Sequence, residues 1–223
     1  MQIRMSVRGL AKYIVGSPSQ QRRVLQDYKY PDGDEPAAMR QYYQDATNAV
    51  RVFHRYGHDR AHLREQGQAL AAKARDAQGG TATRLRNNAR VVLQYEQGFG
   101  SRVFEMRPVA KMRLDFGDVQ VALVPDLHVV ERGKSKLIKL SFGSEEPNEV
   151  EVRVVVQCLY EAANRQMGEF SGNAVSLFDV PRATEHRGAR AGARMLREIE
   201  AACDTIAGIW PRIQEPARRK KTS

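Results

Sequence analysis

The segment of residues 102–143 constrains the fold most, because its apolar and polar residues alternate over much of its length. This alternation has the period of a β-strand with one buried face. A break at "FGD" and a turn at "RGKS" divide the segment into three or four strands joined as hairpins. We therefore expect this segment to form the central sheet of the protein.

Helical periodicity precedes the predicted sheet. Ser6 is expected to cap a first helix, and the break at "GSPS" places Ser17 or Ser19 at the start of a second. Apolar residues at helical spacing then predict three more helices over 38–56, 59–77 and 81–99.

Helical and strand patterns also follow the predicted sheet. Asn148 is expected to cap a helix over 147–167, with acidic residues in its first turn. Residues 174–187 predict one further strand with its exit loop, and residues 188–213 predict a final amphipathic helix. The order of elements indicates an α/β (α+β) fold in which helices flank a central mixed sheet with hairpin strands.

The chain length of 223 residues suits a single domain. We expect this domain to cover residues 1–215, with a helical region over 1–100 and a sheet core with helices over 101–215. The remaining residues 216–223 are polar and basic, and they are expected to form a disordered tail.

The net charge of +10 is the strongest compositional signal. An excess of Lys and Arg attracts a polyanion through counterion release, so nucleic acid is the natural partner, and we favour DNA over RNA. No apolar run approaches the roughly 20 residues that span a bilayer. We therefore expect a cytoplasmic protein without a membrane partner.

The predicted order α-β-β-β-α-β resembles the core of the PD-(D/E)XK nuclease superfamily. The opening segment "SVRGLAKYIVGSPSQQR", the strand "PDLHVV" and the helix "VQCLYEAA" are each similar to segments of its RecB-type branch, which includes the CRISPR-associated adaptation nucleases. Gln157 and Tyr160 are three residues apart, whereas four is the commoner spacing in that branch. The iron-sulfur cluster found in part of the branch needs four cysteines, and this chain has two.

The resemblance implies a catalytic site at Asp126, since the family binds Mg²⁺ or Mn²⁺ through an Asp at this position. The other family groups are a Glu or Asp two residues before a Lys on the next strand, and often an acid on the preceding helix. Glu96 is the candidate for the helix acid. Carboxylates hold the cation that activates the attacking water, and the Lys orients that water.

Lys139 cannot complete this triad in either possible alignment. If Lys139 takes the lysine position, Leu137 replaces the acid; if Lys139 takes the acid position, Ser141 replaces the lysine. A Leu offers no ligand oxygen, and a Lys would repel the cation. We expect a degenerate site without a cofactor, and the alternative is an active nuclease in which Glu131 or Asp115 supplies the missing acid.

Clusters of arginine are the candidate nucleic-acid contacts. Their guanidinium groups match phosphate oxygens in bidentate geometry. Four arginines at spacings of 3, 4 and 3 predict a row along one face of the final helix, and a fifth arginine lies just before this row. A second cluster of three arginines precedes the predicted sheet. The residues are Arg187, Arg190, Arg194 and Arg197, preceded by Arg182, and then Arg84, Arg86 and Arg90.

Three histidines fall four residues apart and are expected to bring their rings together on one helix. They are His54, His58 and His62, and we interpret them as structural rather than metal-binding. His128 follows Asp126 by two residues and is expected to share its face.

The sequence thus predicts a nucleic-acid-associated protein that binds or scaffolds DNA or RNA and is inactive as an enzyme. The resemblance implies a prokaryotic defence, recombination or mobile-element complex with other protein subunits. The alternatives are the active nuclease described above and a subunit that docks an acidic protein partner.

Overall fold

The computed structural model describes residues 2–31, 42–168, 170–188 and 192–216. Within these ranges the protein is mixed α and β, which confirms the expected α/β (α+β) class. The described helices are α1 (Val7–Val15), α2 (Pro18–Lys29), α3 (Gln44–Arg55), α4 (Arg60–Asp76), α5 (Gly79–Phe99), α6 (Glu149–Met167) and α7 (Ala193–Ile209). The described strands are β1 (Ile3–Ser6), β2 (Glu105–Arg107), β3 (Met112–Phe116), β4 (Val119–Leu123), β5 (Leu127–Glu131), β6 (Lys134–Ser141), β7 (Val175–Asp179) and β8 (Thr184–Arg187).

The strands form two mixed sheets. The smaller has the order β1-β4-β3, and the larger has the order β2-β5-β6-β7-β8. Strand β1 pairs in parallel with β4, and β6 pairs in parallel with β7 across the connection that contains α6. The alternating segment therefore supplies five strands divided between the two sheets, where three or four strands were expected.

Two strands lie where the sequence pattern did not predict them. Strand β1 precedes α1 and is only four residues long. Its alternation of apolar and polar residues is therefore too short to be distinguished from the helical pattern that follows. Strand β8 lies within the predicted exit loop and pairs antiparallel with β7. As a result the final helix begins at Ala193 rather than at residue 188.

Strand β6 is covered on both of its faces. Ile138, Leu140 and Phe142 pack into one core with residues of α3 and α5. Leu137 points the other way and is fully buried in a second core built by α1, α6, α7 and the smaller sheet. The second face is thus apolar at Leu137 and becomes polar only at Lys139 and Ser141.

Local capping agrees with the sequence at three helix starts. Ser6 Oγ accepts the Gly9 N–H, Ser17 and Gln20 form a reciprocal capping box, and Asn148 Oδ1 accepts the Val150 N–H. Of the predicted tail 216–223, residues 217–223 lie outside the described residues.

Candidate nucleic-acid interface

Asp126 is held at the start of β5 by hydrogen bonds to β6. Its backbone N–H donates to Ile138 O at 2.9 Å. Its carboxylate Oδ2 accepts the Leu140 N–H at 2.8 Å. These contacts continue the antiparallel register of the hairpin, in which Leu127 faces Ile138. The Asp126 side chain therefore lies opposite Lys139 on the same face of the sheet.

The Lys139 ammonium contacts the Asp126 carboxylate directly. Its Nζ lies 3.1 Å from Oδ1 and 3.1 Å from Oδ2, and it also donates to Val124 O at 2.9 Å. Burial lowers the pKa of Lys139 from its ordinary value, while the charge of Asp126 raises it and those of Arg8 and Arg51 lower it. The sequence-derived candidates Asp126 and Lys139 are thus brought together as an ion pair.

Two arginines complete the surroundings of this ion pair. Arg51 Nε donates to Asp126 O at 2.9 Å, and Arg8 donates to Leu140 O. In the described parts of the chain, neither guanidinium is paired with a carboxylate. We call Arg8, Arg51, Asp126 and Lys139 the Asp126 cluster, and its cations exceed its carboxylates by two.

Each arginine of the cluster is positioned by local packing. Arg8 lies in the first turn of α1, which the Ser6 hydroxyl caps at 3.1 Å. Helix α1 packs closely on α2, since a Cβ at Gly9 would meet the Tyr28 ring. Arg51 lies on α3, whose first turn is anchored where Asn88 Oδ1 accepts the Ala46 N–H at 2.9 Å.

The Asp126 cluster does not fit Mg²⁺ or Mn²⁺. These cations take several oxygen ligands, including carboxylates. The cluster offers one carboxylate, which is already bonded to an ammonium, and the residues described contain no group of three His, Cys, Asp or Glu that could hold a metal ion. Asp179 lies opposite Ser141 in the parallel register, but its carboxylate is buried against Arg182 at 3.1 Å.

Glu96, the predicted helix acid, is bonded to helix α4. Its Oε1 accepts from Arg60 Nε at 2.7 Å and from Arg64 at 2.9 Å. Burial alone would raise the pKa of Glu96, but these two arginines hold it below its ordinary value. Glu96 makes no hydrogen bond to the Asp126 cluster. Its bonds to the two arginines join α4 to α5.

Glu131, one of the two acids that could have been relocated, lies at the other end of β5. It forms a bidentate pair with Arg102, at 2.6 and 2.7 Å, and accepts from Lys136 at 2.6 Å. Burial alone would raise the pKa of Glu131, but these partners lower it to about 2. The second acid, Asp115, lies on the smaller sheet and accepts from Gln120 at 2.9 Å.

The predicted arginine row does not exist as one helical face. Arg187 ends strand β8, so it cannot share a helix with Arg194 and Arg197 of α7. Arg190 lies outside the described residues. Arg197 is exposed, whereas Arg194 pairs with Glu198 at 2.9 Å.

Most of the other predicted contact arginines are engaged within the protein. Arg182 pairs with Asp179, Arg187 with Glu185 and Arg84 with Asp45. Arg86 donates to Ala82 O along its own helix, and Arg90 is exposed. These arginines therefore make contacts that stabilise the fold. The cations around Asp126 are different residues, namely Lys139, Arg51 and Arg8.

The histidines lie on three successive pieces of chain rather than on one helix. His54 lies in the last turn of α3, His58 lies in the following turn with a φ of 61°, and His62 lies in the first turn of α4. The rings of His54 and His58 do approach each other, with centroids 5.3 Å apart. His128 shares the face of Asp126 but its ring bonds Pro108 O at 2.9 Å and Ser135 at 3.0 Å.

Sequence reasoning missed Arg8 and Arg51, the two cations that matter most for the charge of the cluster. Arg8 follows the predicted cap Ser6 by two residues, and Arg51 and Arg55 have the i, i+4 spacing of one helical face. That spacing was the available signal, but it does not reveal that Arg51 contacts the start of a strand 75 residues later.

No protein-family model matches the chain, and no curated protein matches it. The helices within the described ranges are not long and apolar enough to cross a membrane.

Proposed function

We propose that this protein binds nucleic acid through the Asp126 cluster and does not hydrolyse it, on a fold that resembles the RecB-type branch of the PD-(D/E)XK nucleases. The observation that carries the proposal is the ammonium of Lys139, which contacts both carboxylate oxygens of Asp126, the residue to which the resemblance assigns the metal. An ammonium in that place keeps a divalent cation away and adds positive charge to the surface.

The geometry of the cluster suits phosphate oxygens. Arg8 and Arg51 each use part of the guanidinium on a backbone carbonyl, and each group has further N–H donors. Guanidinium groups bind phosphate in bidentate geometry, and phosphate contacts dominate the affinity of proteins for nucleic acid. The net charge of +10 favours the same partner at long range.

The strand connectivity supports the resemblance. An antiparallel β5–β6 hairpin is followed by a connection through α6 to the parallel strand β7. Asp126 precedes this hairpin, as the catalytic Asp does in the family. DNA is the preferred partner, and a prokaryotic defence, recombination or mobile-element complex in the cytoplasm is the proposed setting.

A binding assay on the whole protein tests the proposal. Fluorescently labelled DNA and RNA, single-stranded and duplex, are titrated with protein at several salt concentrations, with and without Mg²⁺ or Mn²⁺. The double variant Arg8→Ala with Arg51→Ala should bind at least about tenfold more weakly than the wild type. The slope of log affinity against log salt should fall by about 1.8 for duplex DNA, since two phosphate contacts are lost.

The matched control removes two exposed cations from another part of the protein. Lys73→Ala with Arg75→Ala changes the net charge equally, on a helix whose main contacts are with its neighbouring helices. It should leave affinity within about twofold of the wild type. Equal losses in both double variants would refute a specific role for the cluster, and no binding at low salt would refute nucleic-acid binding.

Two other functions are outcomes of the same assay. Metal-dependent cleavage that Asp126→Ala abolishes would establish the active nuclease with relocated acids instead. Absence of nucleic-acid binding together with binding to an acidic polypeptide such as polyglutamate would favour a subunit that docks a protein partner.

A further inference from the structure

An open cavity of about 640 Å³ lies where the end of α3 meets β2. Its lining is mixed: Phe104, Met106 and Pro108 are apolar, His54 and His58 are aromatic and polar, and Arg55 and Arg107 carry charge. Sites for small planar molecules have this composition, with apolar walls and a few polar groups that fix the orientation of the ligand.

Two large apolar side chains are exposed at the same place. Tyr56 is 71% exposed and Val103 is 68% exposed. Val103 lines the cavity, and Tyr56 lies between two residues that do. The turn that follows α3 fixes the chain here, since Gly57 and His58 both have positive φ. An exposed aromatic ring beside a cavity is suited to stacking against a planar ligand.

His54, which lines the cavity, has a buried polar atom without a partner among the residues described. The residue is 2% exposed, its Nε2 lies 2.8 Å from Tyr95 Oη, and its Nδ1 makes no hydrogen bond within those residues. If the tyrosine hydroxyl donates to Nε2, the neutral ring carries its proton on Nδ1, and a single donor is left unsatisfied. The opposite tautomer would leave both Nδ1 and the hydroxyl proton unsatisfied. The better arrangement therefore presents an N–H donor without an acceptor.

The cavity continues the surface of the Asp126 cluster. Arg51 and Arg55 lie one helical turn apart on α3, about 6 Å along the axis. Arg51 contacts Asp126 O, and Arg55 lines the cavity. From the other side, His128 lies two residues after Asp126, and its ring contacts Pro108 O at the cavity wall. Cations thus extend from the cluster to the rim of the cavity.

The charge at the rim is positive but partly offset. Arg107 pairs with Glu105 at 2.8 Å, and Arg55 has no carboxylate partner among the residues described. A ligand with a phosphate beside a planar, partly apolar group suits this site. Its phosphate can pair with Arg55, and its planar group can pack against the apolar walls. A nucleotide of a single strand is such a ligand, whereas the bases of a duplex are stacked and paired inside it.

We infer that the cavity receives one unpaired nucleobase of a single strand whose phosphates contact Arg51 and Arg55. This inference rests on the proposed nucleic-acid binding and specifies its substrate class. A single base is held beside Tyr56, so the site differs from a platform on which many successive bases stack, for which the chain has too few aromatic residues.

The test compares strands that differ only in their bases. Wild-type protein is titrated with labelled oligothymidylate, with an abasic strand of the same length and with duplex DNA. Oligothymidylate should bind roughly tenfold more tightly than the abasic strand, as expected for one stacked base. Tyr56→Ala should remove this difference and leave affinity for the abasic strand and the duplex unchanged.

The control variant is Val150→Ser, which removes an exposed apolar side chain in the first turn of α6. It should retain the full preference for oligothymidylate. Equal wild-type affinity for the two strands, or an unchanged preference in Tyr56→Ala, would overturn the base site while the proposed function stands. If the wild type bound none of the three nucleic acids, the proposed function itself would be refuted.

Discussion

The Lys139 Nζ lies 3.1 Å from both carboxylate oxygens of Asp126, across the β5–β6 hairpin. The side chains of both residues are less than one-fifth exposed, so the ion pair is partly shielded from water. The pairing makes Asp126 part of a cationic surface, because Lys139, Arg8 and Arg51 together carry more charge than Asp126 can balance. Four predictions follow from this and neighbouring features.

Replacing Asp126 with Asn should lower the free energy of unfolding by about 3 kcal/mol, because Lys139 would remain partly buried without its counterion. Any effect on nucleic-acid binding should be a gain in affinity, since one negative charge leaves the cluster. Urea unfolding and fluorescence anisotropy measure the two effects. Asp115→Asn, at an exposed acid of the smaller sheet, is the control and should change neither. Reduced binding by a folded Asp126→Asn protein would contradict the cationic role of the cluster.

Exchanging two residues of β6 should create a metal site. In the double variant Lys139→Glu with Ser141→Lys, a second carboxylate would face Asp126, and a lysine would stand two residues beyond it on the same face of the strand. Mn²⁺ at a hundredfold excess over its dissociation constant should then stabilise the protein by about 2.7 kcal/mol. Thermal unfolding with and without Mn²⁺ measures the shift, and the wild type should show none. A shift in the wild type, or no shift in the variant, would show that the carboxylates at positions 126 and 139 do not form a metal site in this geometry.

The burial of His54 should make stability sensitive to mild acid. Burial, together with smaller contributions from the nearby charges of His58 and Arg102, lowers the pKa of its imidazole from 6.5 to about 3. Between these values the unfolded chain binds a proton that the folded chain does not, so stability must fall as pH falls below 6.5. The expected slope approaches about 1.4 kcal/mol per pH unit.

Urea unfolding between pH 7.5 and about 4.5 measures this slope, the lower limit lying near the ordinary pKa of carboxyl groups. His54→Phe keeps a buried ring without a titrating group and should flatten the curve, even if the loss of the bond to Tyr95 lowers stability at every pH. His62→Phe removes an imidazole that is half exposed and should leave the slope unchanged. A slope retained in His54→Phe would assign the effect to other groups.

Close packing of α5 against the turn between β7 and β8 should make Gly98 irreplaceable. A Cβ at Gly98 would lie 2.6 Å from Ala183 Cβ, which has no rotamer to relieve the contact. Gly98→Ala should therefore destabilise the protein by about 1–3 kcal/mol. Gly80→Ala in the same helix meets open space and should stabilise it by up to about 1 kcal/mol. Equal effects of the two substitutions on the unfolding midpoint would show that α5 and the turn between β7 and β8 are not closely packed at Gly98.

Features that depend on a few consecutive residues were predicted from the sequence. Ser6, Ser17 and Asn148 cap helices because a side-chain oxygen next to free N–H groups needs only local geometry. The helices and most strands were expected for the same reason, since their periodicity is a property of neighbouring residues. The resemblance singled out Asp126 and Lys139 as candidate site residues, and in the structure they form an ion pair.

Features that depend on distant partners were not predicted. Strand β1 exists because it pairs in parallel with β4, more than a hundred residues away. Glu96 is bonded to Arg60 of α4, 36 residues before it in the chain, rather than to the Asp126 cluster. In both cases the contact joins segments that are far apart in the chain. The sequence does not show that these segments are close in space.

The sequence by itself determined the α/β class, three of the helix starts, and the incomplete acid and lysine pattern of the β5–β6 hairpin. Only the tertiary structure decided which cations lie beside Asp126, since Arg8 and Arg51 are brought there by helices that pack on opposite faces of the larger sheet. The physical reason is range: capping and periodicity act over a few residues, whereas the charge of a surface is the sum over all the segments that folding brings together.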